Sequence, residues 1–89
     1  NEAITFKVKQ AAGSTKLDTK PYNFKGLRNV TRKKEDRIFK YYYGDTSNYM
    51  RIQELHREAK QKGYPSSFIV AFRDDKKITV NEALKSEVN

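Results

Sequence analysis

Lysines alternate with apolar residues in two segments that have the two-residue period of a β-strand. Near the N-terminus, Lys7 and Lys9 fall on one side of such a segment, and near the middle of the chain Lys40 and Tyr42 do the same. Ammonium groups donate hydrogen bonds to hydroxyl, acetamide and carboxylate oxygens, and an aromatic ring can cover the apolar face of a sugar. If both segments join one sheet, that sheet has a basic surface whose ammonium groups and aromatic ring could bind an extended polymer.

The charge balance fits such a surface but does not identify its ligand. The 89 residues carry a formal net charge of +8, which would attract nucleic acid, anionic lipid headgroups or acidic cell-wall polymers. The same lysines also suit an ordinary solvated surface. A chain of this length fits one domain, residues 1–89, which we expect to be excised from a longer protein and to be monomeric on its own. No apolar run is long enough to span a membrane, so we expect no membrane insertion.

Residue types for catalysis or metal binding are sparse. There is no cysteine, and the single histidine, His56, lies beside the apolar stripe of a predicted helix without a catalytic Ser or Cys partner. The acidic pairs Glu35-Asp36 and Asp74-Asp75 fall in predicted turns, where solvent keeps both carboxylates ionised. We therefore predict a domain that is not an enzyme and has no cofactor and no metal.

Four strands and a short connection are predicted from local patterns along the chain. Residues 4–9 alternate as a half-buried strand, and residues 30–34 and 38–43 flank a polar stretch short enough for an antiparallel hairpin. Residues 67–72 are nearly all apolar, which is typical of a central strand covered on both sides or of one whose open face binds something. Phe68 and Phe72 could stack on a ligand, although a phenylalanine of a central strand is usually buried. Between the first strand and the hairpin, Gly26 limits any helix to about one turn.

One amphipathic helix is strongly indicated between the hairpin and the last strand. Tyr49, Ile52, Leu55 and Ala59 recur at spacings of three and four, and the turn from Gly44 to Ser47 supplies N-cap residues before them. The helix should end at Gly63. Thr79 and Glu82 have capping-box spacing for a short final helix.

The order of elements predicts an α+β fold with a split β-α-β layout, as in ferredoxin-like and RNP-like domains. We expect an antiparallel four-stranded sheet with helices on one face, a degenerate first helix and a short C-terminal extension. The helices would cover one side of the sheet, lined by Phe6, Val8, Phe39, Tyr41 and Tyr43. Lys7, Lys9, Lys40 and Tyr42 would then lie on the uncovered side.

Three segments resemble the SPOR domain, in the version found at the C-terminus of Bacteroidetes cell-wall amidases. They are Lys40-Tyr41-Tyr42-Tyr43-Gly44, the capped helix with Ala59 and Gly63, and Pro65-Ser66-Ser67-Phe68-Ile69-Val70. Residues 40–49 are similar to the family's Arg-Val-x-Val-Gly-x-Phe strand and turn. Residues 67–78 are similar to its Ala-Phe-Val-Val run, turn and basic-Ile pair. The family's first strand often carries Val-Gln, where this chain has Val8-Lys9 with the glutamine displaced to Gln10.

The resemblance implies a non-catalytic domain that binds septal peptidoglycan, with a preference for glycan strands stripped of stem peptides. Such a domain would take its parent, for example an N-acetylmuramoyl-L-alanine amidase, to the division septum in the periplasm or cell envelope. The family binds glycan through its sheet face and the loops at the edge. The implied glycan-binding residues here are Lys7, Lys9, Gln10, Lys40, Tyr42, Gly44, Asp45, Thr46 and Ser47.

Two other functions remain open from the sequence. A single-stranded RNA-binding module shares the layout and the charge, and residues 67–72 resemble the aromatic strand of an RNA recognition motif. However, no Arg/Lys-Gly-aromatic-Gly run precedes that strand. In an RNA recognition motif the aromatic strand is the third of the sheet, whereas here it is the last. We therefore do not expect nucleic acid as the partner. A protein-interaction domain that uses a sheet edge or a helix is the other alternative.

Overall fold

The computed structural model describes residues 3–88 and has the predicted α+β composition. Its elements are β1 (Ile4–Gly13), a 3₁₀ helix (Pro21–Asn23), β2 (Val30–Glu35), β3 (Ile38–Thr46), α1 (Tyr49–Gln61), β4 (Phe68–Arg73), β5 (Lys76–Ile78) and α2 (Val80–Val88). The degenerate first helix, the hairpin, the amphipathic helix and the short final helix are therefore confirmed.

The sheet is antiparallel throughout, with strand order β2-β3-β1-β4-β5. Because each neighbour is antiparallel, β2 runs parallel to β1 with β3 between them, and β4 runs parallel to β3 with β1 between them. The 3₁₀ helix lies in the first of these crossovers and α1 in the second. This arrangement puts β1 and β3, which carry the predicted lysines, in the middle of the sheet.

The sheet has five strands, so the prediction of four is wrong. The additional strand, β5, pairs with the end of β4 through a connection of two residues, Asp74 and Asp75. Both aspartates have a positive φ, 49° and 70° respectively. Asp tolerates this left-handed conformation better than most residues, which lets the chain reverse tightly.

One face of the sheet carries the main hydrophobic core. Phe6 and Val8 of β1 pack there with Tyr41 and Tyr43 of β3, and Phe39 lies against the same cluster. Buried residues of the covering segments complete this core: Phe24, Leu27, Ile52, Ala59 and Ala83. All the helices therefore pack on one side of the sheet, as predicted, and burial of these side chains is the main source of stability.

The start of α1 differs from the prediction because β3 extends to Thr46. Asn48 is the N-cap, and its side chain accepts a hydrogen bond of 3.0 Å from the Arg51 N–H. Thr46 supports this cap indirectly, since its hydroxyl accepts from the Asn48 N–H. At the other end Gly63 has a φ of 117°, as expected for a residue that terminates a helix. Thr79 and Glu82 form the predicted reciprocal cap of α2.

Gly44 lies within β3, where α1 crosses closely above it. Two residues of β3, Gly44 and Asp45, oppose Lys7 alone, which makes a β-bulge in the pairing with β1. Gly44 has a φ of 82°, and a Cβ at this position would lie 2.7 Å from Leu55 Cδ1. Only glycine satisfies both the backbone conformation and the close packing of the helix.

Candidate functional site

The open face, meaning the side of the sheet away from the helices, is basic. Strand alternation and pairing place on it the lysines Lys7, Lys9, Lys33, Lys40 and Lys77. Of these, the sequence predicted Lys7, Lys9 and Lys40. Lys33 and Lys77 were missed because their strands show no alternation that assigns a face. The cross-strand partners supply that assignment, since Lys33 lies opposite Lys40 and Lys77 opposite Phe72.

Beneath these lysines lies a second, smaller hydrophobic cluster. It consists of Tyr42, Val70 and Phe72, which are 4%, 4% and 6% exposed. The rings of Tyr42 and Phe72 meet edge to face, with centroids 5.8 Å apart. This cluster is buried although no helix covers it.

Lysine side chains cover the cluster in place of a helix. Lys7 Nζ lies 5.8 Å from the Tyr42 ring centroid and 5.6 Å from that of Phe72, and Lys33 Nζ lies 5.4 Å from the Phe72 centroid. Lysine stems can cover apolar surface while their ammonium groups stay in water, and cations are attracted to ring faces. The prediction that Tyr42 is an exposed aromatic platform is therefore wrong, because its ring is part of the floor under Lys7. Burial also raises the pKa of the Tyr42 phenol.

The exposed aromatic ring of the open face belongs to Phe68. It is 46% exposed, and Lys9 Nζ lies 5.5 Å from its ring centroid. The sequence interpretation expected a central-strand phenylalanine to be buried. The structure differs because β5 pairs only with residues 71–73 of β4. Phe68, at the start of β4, therefore has no neighbouring strand on the β5 side, and its ring is exposed.

Electrostatics on this face are those of crowded cations with a nearby acid. Partial burial lowers the pKa of Lys9, and the positive charges of Lys40 and Lys77 lower it further. Lys40 donates a hydrogen bond of 2.7 Å to Glu35, which raises the pKa of Lys40 and lowers that of Glu35. An anion that reached Lys9 would relieve the repulsion there.

A groove of about 410 Å³ runs along part of the open face. It is lined by Thr5, Lys7, Thr31, Arg32, Lys33, Tyr42, Asp45, Phe72 and Asp75. Threonine hydroxyls, ammonium groups and a few carboxylates converge in it, which suits hydrogen bonding to a polyhydroxylated or anionic chain.

Four of the residues implied by the family resemblance belong neither to this groove nor to the lysines of the open face. Gln10 is the extra residue of a bulge between Lys9 and Ala11, is 9% exposed, and has no hydrogen-bond partner for its side-chain amide among the described residues. Gly44 is buried under α1. Thr46 lines a separate cavity beside α1, and Ser47 is exposed next to the start of that helix.

The sequence-predicted site is therefore split by the fold. Lys7, Tyr42 and Asp45 line the open-face groove, and Lys9 and Lys40 lie on the same face beyond it. Gln10 and Gly44 are both buried at bulges of the β1–β3 pairing, so neither contributes a side chain to the open face. Bulges shift the alternation by one residue, and local sequence patterns do not reveal them.

Residues 3–88 contain no group of three or more His, Cys, Asp or Glu side chains arranged to hold a metal ion, and none of their helices is long and apolar enough to cross a membrane. His56 is half-buried, and its Nε2 lies 2.7 Å from the Ser67 carbonyl oxygen, to which it donates. No protein-family model, curated protein or solved structure matches this chain.

Proposed function

We propose that this domain binds the glycan strands of peptidoglycan on its open face and has no catalytic role. The observation that carries the proposal is the row of ammonium groups held over a buried aromatic floor on a face that no helix covers. The strand order β2-β3-β1-β4 with all neighbours antiparallel further supports a ferredoxin-like sheet of the SPOR type, to which β5 and α2 are added.

The charge of the ligand explains the lysines. When an amidase removes a stem peptide, the lactyl group of each muramic acid is left as a free carboxylate, so stripped strands are polyanions. Ammonium groups such as those of Lys7 and Lys9 can pair with these carboxylates and donate to neighbouring hydroxyls. Each contact is weak, and repetition along a strand supplies affinity. A preference for stripped strands would bring a parent cell-wall protein, such as an amidase, to the division septum in the periplasm.

Sedimentation with insoluble peptidoglycan tests the proposal. The protein is incubated with sacculi before and after amidase removal of the stem peptides, and the bound fraction is measured. The test variant is K7Q/K40Q, because both lysines are on the open face. Tyr42 is left intact, since its removal would disturb the buried floor. The matched control is K60Q/K62Q, which removes the same charge from exposed positions near the end of α1.

We expect stripped sacculi to retain more wild-type protein than intact sacculi. Loss of two charge-assisted contacts should weaken retention of K7Q/K40Q by at least about tenfold, while K60Q/K62Q should behave like the wild type. If both double variants lose the same amount, the open face is not the binding surface. Absence of retention on stripped sacculi would refute the glycan proposal itself.

Single-stranded RNA remains the second candidate, favoured by one observation. Phe68 presents an exposed ring on the open face beside Lys9, and bases stack on such rings in many single-strand binders. RNA binding would weaken steeply with added salt and would require the Phe68 ring. Equal binding of a single-stranded RNA by the wild type and an F68A variant would remove this alternative's structural support.

A further inference from the structure

Two lysines face each other directly across the hairpin of β2 and β3. Lys33 and Lys40 are register partners, and on an antiparallel pair like charges in this relation repel. The side chain of Glu35 lies between them. Its Oε2 is 2.7 Å from Lys40 Nζ, and its Oε1 is 3.9 Å from Lys33 Nζ. One carboxylate thus uses both oxygens to bridge two opposed ammonium groups.

The bridging carboxylate is partly exposed to solvent. The side chains of Glu35 and Lys33 are 40% and 46% exposed, and that of Lys40 is 23% exposed. Glu35 is the last residue of β2 and is followed by Asp36 in a turn with a φ of 56°. Exposed ion pairs contribute little net stability, because water solvates the separated charges well. Glu35 can therefore leave the two lysines at small cost, whereas the lysines are fixed in opposition by the strand register.

We propose that Lys33 and Lys40 form a carboxylate-binding site whose resident occupant is Glu35, and that a carboxylate of a bound polymer displaces it. The nature of that polymer rests on the proposed function, in which stripped glycan supplies a lactyl carboxylate. Glu35 then acts as an intramolecular competitor that sets the affinity of the open face. The site itself needs only a carboxylate-bearing chain.

The test removes the competitor without changing the lysines. In E35Q the amide keeps the size of the side chain but no longer pairs with two cations. E54Q is the matched control, because it makes the same change in net charge on α1, where Glu54 lies 3.9 Å from Arg51 and away from the open face. Both variants are titrated with soluble stripped glycan and with oligogalacturonate, a pyranose polymer that also carries carboxylates. A neutral chitin oligosaccharide reports binding that needs no carboxylate.

We expect E35Q to bind both acidic polymers about two- to fivefold more tightly than E54Q, as the loss of an exposed ion pair allows, with no difference for the chitin oligosaccharide. Equal affinities of E35Q and E54Q would overturn the site, and so would a failure of both variants to bind oligogalacturonate. If oligogalacturonate shows the expected difference and stripped glycan does not bind at all, the carboxylate site stands and the proposed glycan function fails. Thermal melts of both variants verify that each is folded.

Discussion

The two faces of the sheet bury aromatic rings in different ways. On the helix-covered face, Phe6 is completely buried and its ring meets that of Tyr49 at a centroid distance of 5.3 Å. On the open face, Tyr42 and Phe72 are almost as well buried, but lysine side chains cover them. A helix is held on the sheet by the burial of its own apolar stripe. A lysine ammonium group above a ring stays accessible to water, so an anionic ligand can pair with it without exposing the main core.

The largest expected effect compares a phenylalanine from each face. Loss of the Phe6 ring leaves a cavity in the main core, and F6A should lower the free energy of unfolding by about 3–5 kcal/mol. Phe68 is already half-exposed, so F68A should cost about 1 kcal/mol or less. Urea denaturation of both variants measures the difference. Similar losses for the two variants would mean that the open face contributes to the core as much as the helix-covered face does.

The second prediction concerns the close approach of α1 to the sheet. G44A places a methyl group against Leu55 on a backbone with positive φ, and it should destabilise the domain by about 1–3 kcal/mol. Gly13 is the control, because nothing lies within 4 Å of a Cβ built there and its φ is not positive. G13A should leave stability unchanged or raise it slightly. Equal melting temperatures for G44A and G13A would contradict the described packing of α1.

The third prediction uses pH to test the helix-covered face. Burial, together with the hydrogen bond that its hydroxyl donates to Glu58, raises the pKa of Tyr43 from 10.0 to about 12. Since the folded state holds this proton more tightly than the unfolded state, the contribution is complete below pH 10 and is lost as the pH rises to about 12. The unfolding free energy of Y43F should fall less steeply over this range than that of the wild type. Y22F, which changes an exposed tyrosine, should keep the wild-type slope.

The smallest expected effect on stability comes from breaking an ion pair of the open face. K40Q breaks the hydrogen bond to Glu35, and because both groups are solvated the urea midpoint should not change measurably. A clear loss of stability in K40Q would show that the ion pair is part of the fold. Glu35 would then be too firmly held to act as an exchangeable occupant.

Periodicity in the sequence was sufficient to predict the hairpin, α1 and, outside the bulges, the faces on which the residues of β1 and β3 lie. Alternation of apolar and polar residues assigns Phe6 and Lys7 to opposite sides regardless of the tertiary structure. The N-terminal cap of α2 could also be predicted, because Thr79 and Glu82 are three residues apart and bond to each other without help from the rest of the fold.

The parts that sequence could not supply depend on register and backbone conformation. Gln10 looks like a continuation of the basic strand, yet a bulge places it inside. The strand β5 depends on a turn in which two consecutive aspartates have the left-handed conformation, and the pattern of apolar residues does not predict such a turn. The exposure of Phe68 follows from how short β5 is, and the meeting of Lys33 with Lys40 follows from the register of β2 and β3.

The most direct test of the account is to map where stripped glycan binds. Amide chemical shifts of the ¹⁵N-labelled protein are followed as soluble stripped glycan strands are added. We expect the largest changes in the strands that present the open face, around Lys7, Lys9, Lys40 and Phe68, with little change along α1. Changes concentrated on α1, or none at saturating glycan, would contradict the claim that the uncovered basic side of the sheet is the binding surface.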